Sequence, residues 1–183
     1  MRLFRKVRWL IFALCLQASA GAQSTAPLVN EMQEFLSATE GTWEPVRDPN
    51  RPRKFLETLK FVPILDGRFE TSQQILHNQE GKIVYRDFAV FGIDPDIHKL
   101  FLNAYNTDGS MDRTREVDSG PGRWVFLGTV FGSEQFRDYR YTMTQLEGGH
   151  LRILVELLKD GKYEKHSDVT YERTSKSSVP QIE

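Results

Sequence analysis

The sequence contains almost no cysteine: of its 183 residues only Cys15 carries a thiol. A lone cysteine excludes an internal disulfide and a metal site built from several thiolates. Because Cys15 lies inside an apolar N-terminal run, a chain that loses this run also has no thiolate nucleophile. The fold of such a chain must therefore be stabilised by its hydrophobic core, without covalent cross-links.

Catalytic and cofactor signatures are absent as well. The chain has no Gly-x-Ser-x-Gly elbow, no phosphate-cradling glycine loop and no dinucleotide fingerprint. No two of the four histidines have the i, i+2 or i, i+4 spacing that places two imidazoles on one face, so a metal site would need ligands from distant strands. These histidines are His77, His98, His150 and His166. The sequence favours a protein that is not an enzyme, and we expect no metal and no cofactor.

The sequence has no excess of positive charge, since 24 Lys and Arg residues stand against 25 Asp and Glu residues, and it has no basic patch, which argues against a nucleic-acid partner. The longest apolar run, Trp9 to Leu16, is far shorter than the roughly 20 residues of a membrane-spanning helix. Basic residues precede this run and small residues follow it up to Ala22, as in an export signal. We predict a signal peptide over 1–22, cleavage after Ala22, a periplasmic or secreted product and no stable membrane anchor. A retained N-terminal anchor is the alternative.

The chain after this segment has one helical pattern, followed by short β-like runs. Apolar residues at helical spacing from Leu28 to Leu36 predict a helix that ends at Gly41, within a 23–40 tether and helix segment. Turn signals such as Asp66-Gly67 and Asp160-Gly161 then separate about ten runs, which predicts antiparallel hairpins. The runs are 41–47, 54–63, 68–77, 82–93, 99–106, 111–117, 123–131, 135–146, 150–159 and 163–173. The predicted fold is all-β, an up-and-down barrel over 41–173 with one short N-terminal helix and a polar tail at 174–183.

Several of these runs are apolar on both faces, for example Phe88 to Phe91 and Trp124 to Leu127. Something must cover the second face. We expect either a barrel interior that holds a small, mainly apolar ligand, or an outer face that meets a partner or forms a homodimer.

Four segments, the first of them preceded by the short helix, together resemble an uncharacterised family of bacterial lipocalin-like proteins over nearly all of residues 28–173. They are Gly41-Thr42-Trp43-Glu44, Leu65-Asp66-Gly67-Arg68-Phe69, Phe91-Gly92-Ile93-Asp94 and Thr170-Tyr171-Glu172-Arg173. The resemblance implies a calycin-type antiparallel barrel, similar to fatty-acid-binding proteins and nitrobindins. Nitrobindin-like barrels hold haem through a late-strand histidine, so a haem-binding or enzymatic barrel that uses His150 or His166 is a further alternative. The glycine-rich opening of nitrobindins is missing here, since Glu44-Pro45-Val46 follows Trp43.

Five residues are predicted to line a ligand site: Trp43, Arg86, Tyr105, Arg140 and Glu156. Trp43 either forms a stacking floor for the ligand or packs in the core. Glu156 lies among aliphatic residues, where a buried carboxylate needs a partner such as Arg86 or Arg140 across the interior. Alternatively, Glu156 faces water while Ile153, Val155 and Leu157 face the core. Glu57 and Glu70 are expected to face solvent.

Overall fold

The computed structural model describes residues 26–47, 54–132 and 137–174, and helix side chains from Asn30 onward. The predicted signal peptide with Cys15 and its cleavage site lies outside the described residues, as does the tail beyond Thr174.

The described chain forms one α-helix, ten strands and a short 3₁₀ turn. The helix is α1 (Ala26–Thr39), and the 3₁₀ turn is Glu147–Gly149. The strands are β1 (Gly41–Pro45), β2 (Leu56–Ile64), β3 (Phe69–His77), β4 (Ile83–Asp94), β5 (Lys99–Asn106), β6 (Met111–Gly120), β7 (Arg123–Phe131), β8 (Asp138–Gln145), β9 (Leu151–Lys159) and β10 (Lys162–Arg173).

Every strand pairs antiparallel with its neighbours in sequence, and β1 pairs with β10 to close the barrel. The predicted fold class is therefore confirmed. The turn between β9 and β10 has the geometry that its Asp-Gly pair predicts. Asp160 and Gly161 have φ values of 50° and 76°, and they join the paired residues Lys159 and Lys162. Positive φ at both central residues is the hairpin turn that an Asp-Gly pair favours.

Helix α1 covers one end of the barrel with its apolar face. Phe35 lies 5.0 Å from the Phe91 ring and 5.2 Å from the Trp124 ring, the latter edge-on. On the rim, Gly67 lies against Leu36, and the Gly122 amide donates to Glu34 at 3.3 Å. We call this end of the barrel the helix end and the opposite end the far end.

The last carbonyls of α1 are satisfied by side chains from the barrel. The Trp43 indole N–H donates to the Thr39 carbonyl at 2.7 Å, and the Arg173 guanidinium donates to the Ala38 carbonyl at 3.0 Å. The same guanidinium lies 4.6 Å from the Trp43 ring centre. Since helix ends leave carbonyls without helical partners, these contacts attach α1 to β1 and β10. Among the described residues, no helix is both long and apolar enough to cross a membrane.

Candidate functional site

The barrel encloses a cavity of about 420 Å³ between the core that packs under α1 and the far end. Phe91 lines it on one side and packs against Phe35 of the helix on the other, so it forms the floor. Small inward residues, Ala89 on β4 and Ala104 on β5, leave the space above this floor. The volume lies within the range of sites that hold small molecules.

Most of the cavity wall is apolar. Strands from both sides of the barrel contribute aliphatic side chains to it, namely Leu59, Leu76, Leu102, Val130, Ile153, Val155, Leu157 and Val169. A molecule that enters this space exchanges water for hydrocarbon over most of its surface, which favours an apolar body.

One side of the cavity is polar, and we call its five residues the polar wall. They are Tyr85 and Asp87 on β4, Asn106 on β5, Asp112 on β6 and Tyr139 on β8. None of them was predicted from the sequence as a site residue.

Asp87 is held in the polar wall by two neighbours. Its Oδ1 accepts the Gln74 backbone N–H at 3.0 Å, and its Oδ2 lies 3.4 Å from the Tyr85 hydroxyl. The Tyr85 hydroxyl is only 2.8 Å from Oδ1 of Asn106, and a phenol has a single hydrogen. Because the shorter contact takes this hydrogen, Oδ2 of Asp87 can accept from a further donor. Burial raises the pKa of Asp87 to about 6, and the Gln74 backbone N–H and the nearby Tyr85 hydroxyl oppose the rise.

Asp112 is the second carboxyl of the polar wall. It accepts hydrogen bonds from Asn106 Nδ2 at 3.4 Å and from the Tyr139 hydroxyl. Burial raises the pKa of Asp112, and burial likewise raises the pKa of the Tyr85 and Tyr139 phenols. Both phenols therefore keep their protons near neutral pH and act as donors.

Gly128 on β7 leaves room for the Tyr139 ring, which packs against its backbone. A Cβ at position 128 would lie 2.9 Å from the ring and 2.5 Å from Cγ2 of Thr114. Such distances are well inside van der Waals contact, so a side chain at this position displaces the ring or its neighbour. The glycine is thus part of the arrangement that places the Tyr139 hydroxyl at Asp112.

Glu57 lies next to the cavity, and the expectation that it faces solvent was wrong. Its Oε1 accepts from the Gln74 side-chain amide and from the Tyr171 hydroxyl, and both of these residues line the cavity. A carboxylate can be half-buried at low cost when donors are arranged around it.

Glu70 also points inward, at the helix end, and the expectation for it was wrong as well. Its side chain has no exposed surface, and Oε2 accepts from the Thr39 hydroxyl at 2.8 Å. Burial raises the pKa of Glu70 to about 8. Helix α1 covers Glu70 from the end of the barrel, and the alternation of residues along β3 does not indicate this burial.

The late-strand histidines have different positions. His166 lines the cavity beside the bulge between Lys165 and Ser167, whereas His150 lies in the turn before β9. Within the described part of the chain, no group of three or more His, Cys, Asp or Glu side chains is arranged to hold a metal ion. Haem binding by His166 stays a prediction, which a visible spectrum after haem titration tests.

Four of the five predicted site residues lie on the outer face of the barrel. Arg86 and Tyr105 alternate with the lining residues of β4 and β5, and Tyr105 is 54% exposed. Arg140 and Glu156 alternate with the lining residues of β8 and β9. The Arg140 guanidinium donates two hydrogen bonds to the Glu156 carboxylate, at 2.6 and 2.9 Å. It also lies 4.5 Å from the Tyr163 ring centre.

Trp43, the fifth, is buried at the helix end and is not among the residues that line the cavity. Its position agrees with the core-packing alternative. For Glu156 the outward alternative agrees with the structure, since Ile153, Val155 and Leu157 line the cavity. The Arg140 pairing is therefore between neighbouring strands and not across the interior.

The polar wall was missed because β4 is apolar on both faces around Ala89. Residues 85, 87, 89 and 91 face inward, while Arg86, Phe88 and Val90 face outward. Alternation identifies the buried face only when the other face is polar. A usable signal is the pair of small residues Ala89 and Ala104, which are directly opposite each other on β4 and β5 and mark the face where space is left.

No protein-family model matches this chain, and no curated protein matches it. Thirteen chains of solved structures do match. One is the crystal structure of Rv2717c from M. tuberculosis, with a TM-score of 0.59, 15% identity, and coverage of 78% of this chain and 97% of that chain. At this identity the similarity shows a shared barrel fold.

Proposed function

We propose that the protein is an exported, lipocalin-like binding module that holds a small, mainly apolar molecule inside its barrel. The observation that carries this proposal is the cavity of about 420 Å³ with its apolar wall and polar wall. A barrel whose only task is stability fills its interior with side chains. Here Ala89 and Ala104 face the interior at positions where larger side chains would fill it.

Filling the cavity tests the proposal. The Ala104→Phe variant places a ring in the space above Phe91, and we expect the affinity for a fluorescent apolar probe to fall at least about tenfold. Asn103→Phe is the matched control, because it adds a ring at the adjacent position of the same strand on the outer face. If Ala104→Phe fails to fold, Ala89→Leu tests the same space with a smaller change. Unchanged binding by a folded cavity-filled variant would contradict the proposal.

A second candidate, a homodimer, is favoured by an apolar row on the outer face. Phe88, Tyr105, Met111 and Phe131 are in register across β4, β5, β6 and β7. Phe88, Tyr105 and Phe131 are 37%, 54% and 43% exposed. Exposed apolar rows of this kind are typical of interaction surfaces. Sedimentation at micromolar concentration tests this: a dimer that Tyr105→Lys converts to monomer supports it, and a monomeric wild type contradicts it.

A further inference from the structure

The polar wall determines which head group the proposed ligand carries, a question that rests on the proposed function above. None of the described residues that line the cavity is a lysine or an arginine, whereas Asp87 and Asp112 both line it. A ligand carboxylate would therefore enter next to two carboxyls and without a lysine or arginine to pair with. An unpaired charge in such a site costs far more than the same charge in water.

The hydrogen bonds of the polar wall leave acceptors in excess. An ionised carboxylate has about four lone-pair sites for hydrogen bonds. Asp87 has two donor neighbours, Gln74 and Tyr85, and the Tyr85 hydrogen is directed to Asn106. Asp112 also has two, Asn106 and Tyr139. The two hydrogens of Asn106 Nδ2 are directed to Ser110 at 2.9 Å and to Asp112 at 3.4 Å, so Asn106 offers no further donor to Asp87. A ligand with several N–H hydrogens and a positive charge complements this excess.

The cavity places these acceptors beside an apolar chamber. Ala89 and Ala104 are the next inward residues after Asp87 and Asn106 on β4 and β5, and Phe91 lies beneath them. A molecule with its head at Asp87 can therefore lay its body toward the floor against Leu102 and Ile153. An ammonium head and a short hydrocarbon body match the two halves of the chamber.

We propose that the barrel cavity binds a small amphiphilic amine, with its protonated nitrogen at Asp87 and Asp112 and its hydrocarbon body over Phe91. In this respect the chamber is opposite to a fatty-acid site, which needs a basic residue for the ligand carboxylate. A neutral alcohol satisfies only one acceptor and brings no compensating charge.

The experiment compares octylamine, octanol and octanoic acid, which share one hydrocarbon chain and differ in the head group. Each displaces the same fluorescent apolar probe from the purified protein near neutral pH. We expect octylamine to bind most tightly and octanoate least tightly. Charge-assisted hydrogen bonds are worth about tenfold to a hundredfold in affinity, so we expect octylamine to exceed octanol by about that factor.

Variants locate the head group. Asp87→Asn keeps the shape of the side chain and removes its charge, and we expect it to lower octylamine affinity about tenfold or more while leaving octanol binding nearly unchanged. Asp112→Asn is the second variant if the first does not fold. Asp118→Asn is the matched control, since Asp118 is exposed and pairs with Arg123 at 2.6 Å.

The outcomes separate the two proposals. If none of the three compounds displaces the probe, the proposed function fails and the inference fails with it. If octanol or octanoate binds as tightly as octylamine, only the inference is overturned. Retention of octylamine affinity by both the Asp87 and Asp112 variants also overturns it, because the nitrogen then lies elsewhere.

Discussion

The hydroxyl of Thr39, in the last turn of α1, lies 2.8 Å from Oε2 of Glu70 on β3 and 2.7 Å from the Phe35 carbonyl, and these two acceptors share its single hydrogen. The other oxygen, Oε1, is buried and has no hydrogen-bond partner among the described residues. An ionised carboxylate in this position would lack donors for one oxygen, so the neutral acid is favoured. The contact between helix and barrel is therefore built around a protonated Glu70.

This contact predicts that the helix end loses stability as pH rises. The pKa of Glu70 is about 8 in the folded state against an ordinary 4.5, because burial outweighs the Thr39 hydrogen bond; Glu40 raises the pKa and Arg173 lowers it. The folded state thus holds a proton that the unfolded state releases. The contribution of this proton to the free energy of unfolding is fully present below pH 4.5 and declines as the pH rises to about 8.

Glu70→Gln removes this dependence. The variant should be more stable than the wild type at pH 8, by on the order of 2–4 kcal/mol, and similar to it near pH 4.5. Denaturant unfolding of both proteins from pH 6 to 8 measures the two slopes, and the titration of Asp87, whose pKa is about 6, affects both proteins alike. Equal slopes for the two proteins would contradict a protonated Glu70.

Gly128 provides a prediction about packing at the polar wall. Gly128→Ala forces the Tyr139 ring or Thr114 to move, and we expect a loss of about 1–3 kcal/mol in the free energy of unfolding. Gly120→Ala is the control, because a Cβ there meets nothing within 4 Å and should change stability by less than about 0.5 kcal/mol. Equal losses at the two positions would show that the effect is one of strand glycines in general.

The outer pair of Arg140 and Glu156 should contribute little to stability and nothing to the cavity. Glu156→Gln breaks a partly exposed ion pair, so we expect a loss of less than about 1 kcal/mol and unchanged probe affinity. Binding and unfolding measured on the same preparation check both parts. A clear loss of affinity would instead support a direct contact between Glu156 and a ligand.

Amine binding should weaken as pH falls. The pKa of Asp87 is about 6 because of burial, and Asp112 and Glu57 raise it further, while Gln74 and Tyr85 oppose the rise. Protonation of Asp87 removes the charge that attracts the ammonium group, so octylamine affinity should fall below about pH 6. Displacement titrations from pH 5 to 8 test this, with octanol as the reference. A parallel decline for octanol would indicate a general change in the barrel.

Local patterns determined the helix, the strand bounds and the order of the hairpins. The chain turns at the Asp-Gly pair of Lys159-Asp160-Gly161-Lys162, because such residues adopt positive φ at low cost. The position of this turn is therefore determined by a few neighbouring residues. The strand over 138–145 and the one over 83–94 lie within two or three residues of the predicted ranges. Hairpins in series then require antiparallel neighbours.

Tertiary structure alone decided which side of each strand faces inward. Side chains along a strand alternate between the inner and the outer face. Because β4 is apolar on both faces at Phe88 to Phe91, its sequence does not distinguish the two faces. A shift of one residue would therefore turn Arg86 inward in place of Asp87 without any local penalty. Closure of β1 onto β10 and the seating of Phe35 on Phe91 resolve that choice, because they assign one face of every strand to the interior. The hairpin register of β4, β5 and β6 places Asp87 beside Asn106 and near Asp112, but only the closed barrel turns these side chains toward an enclosed cavity.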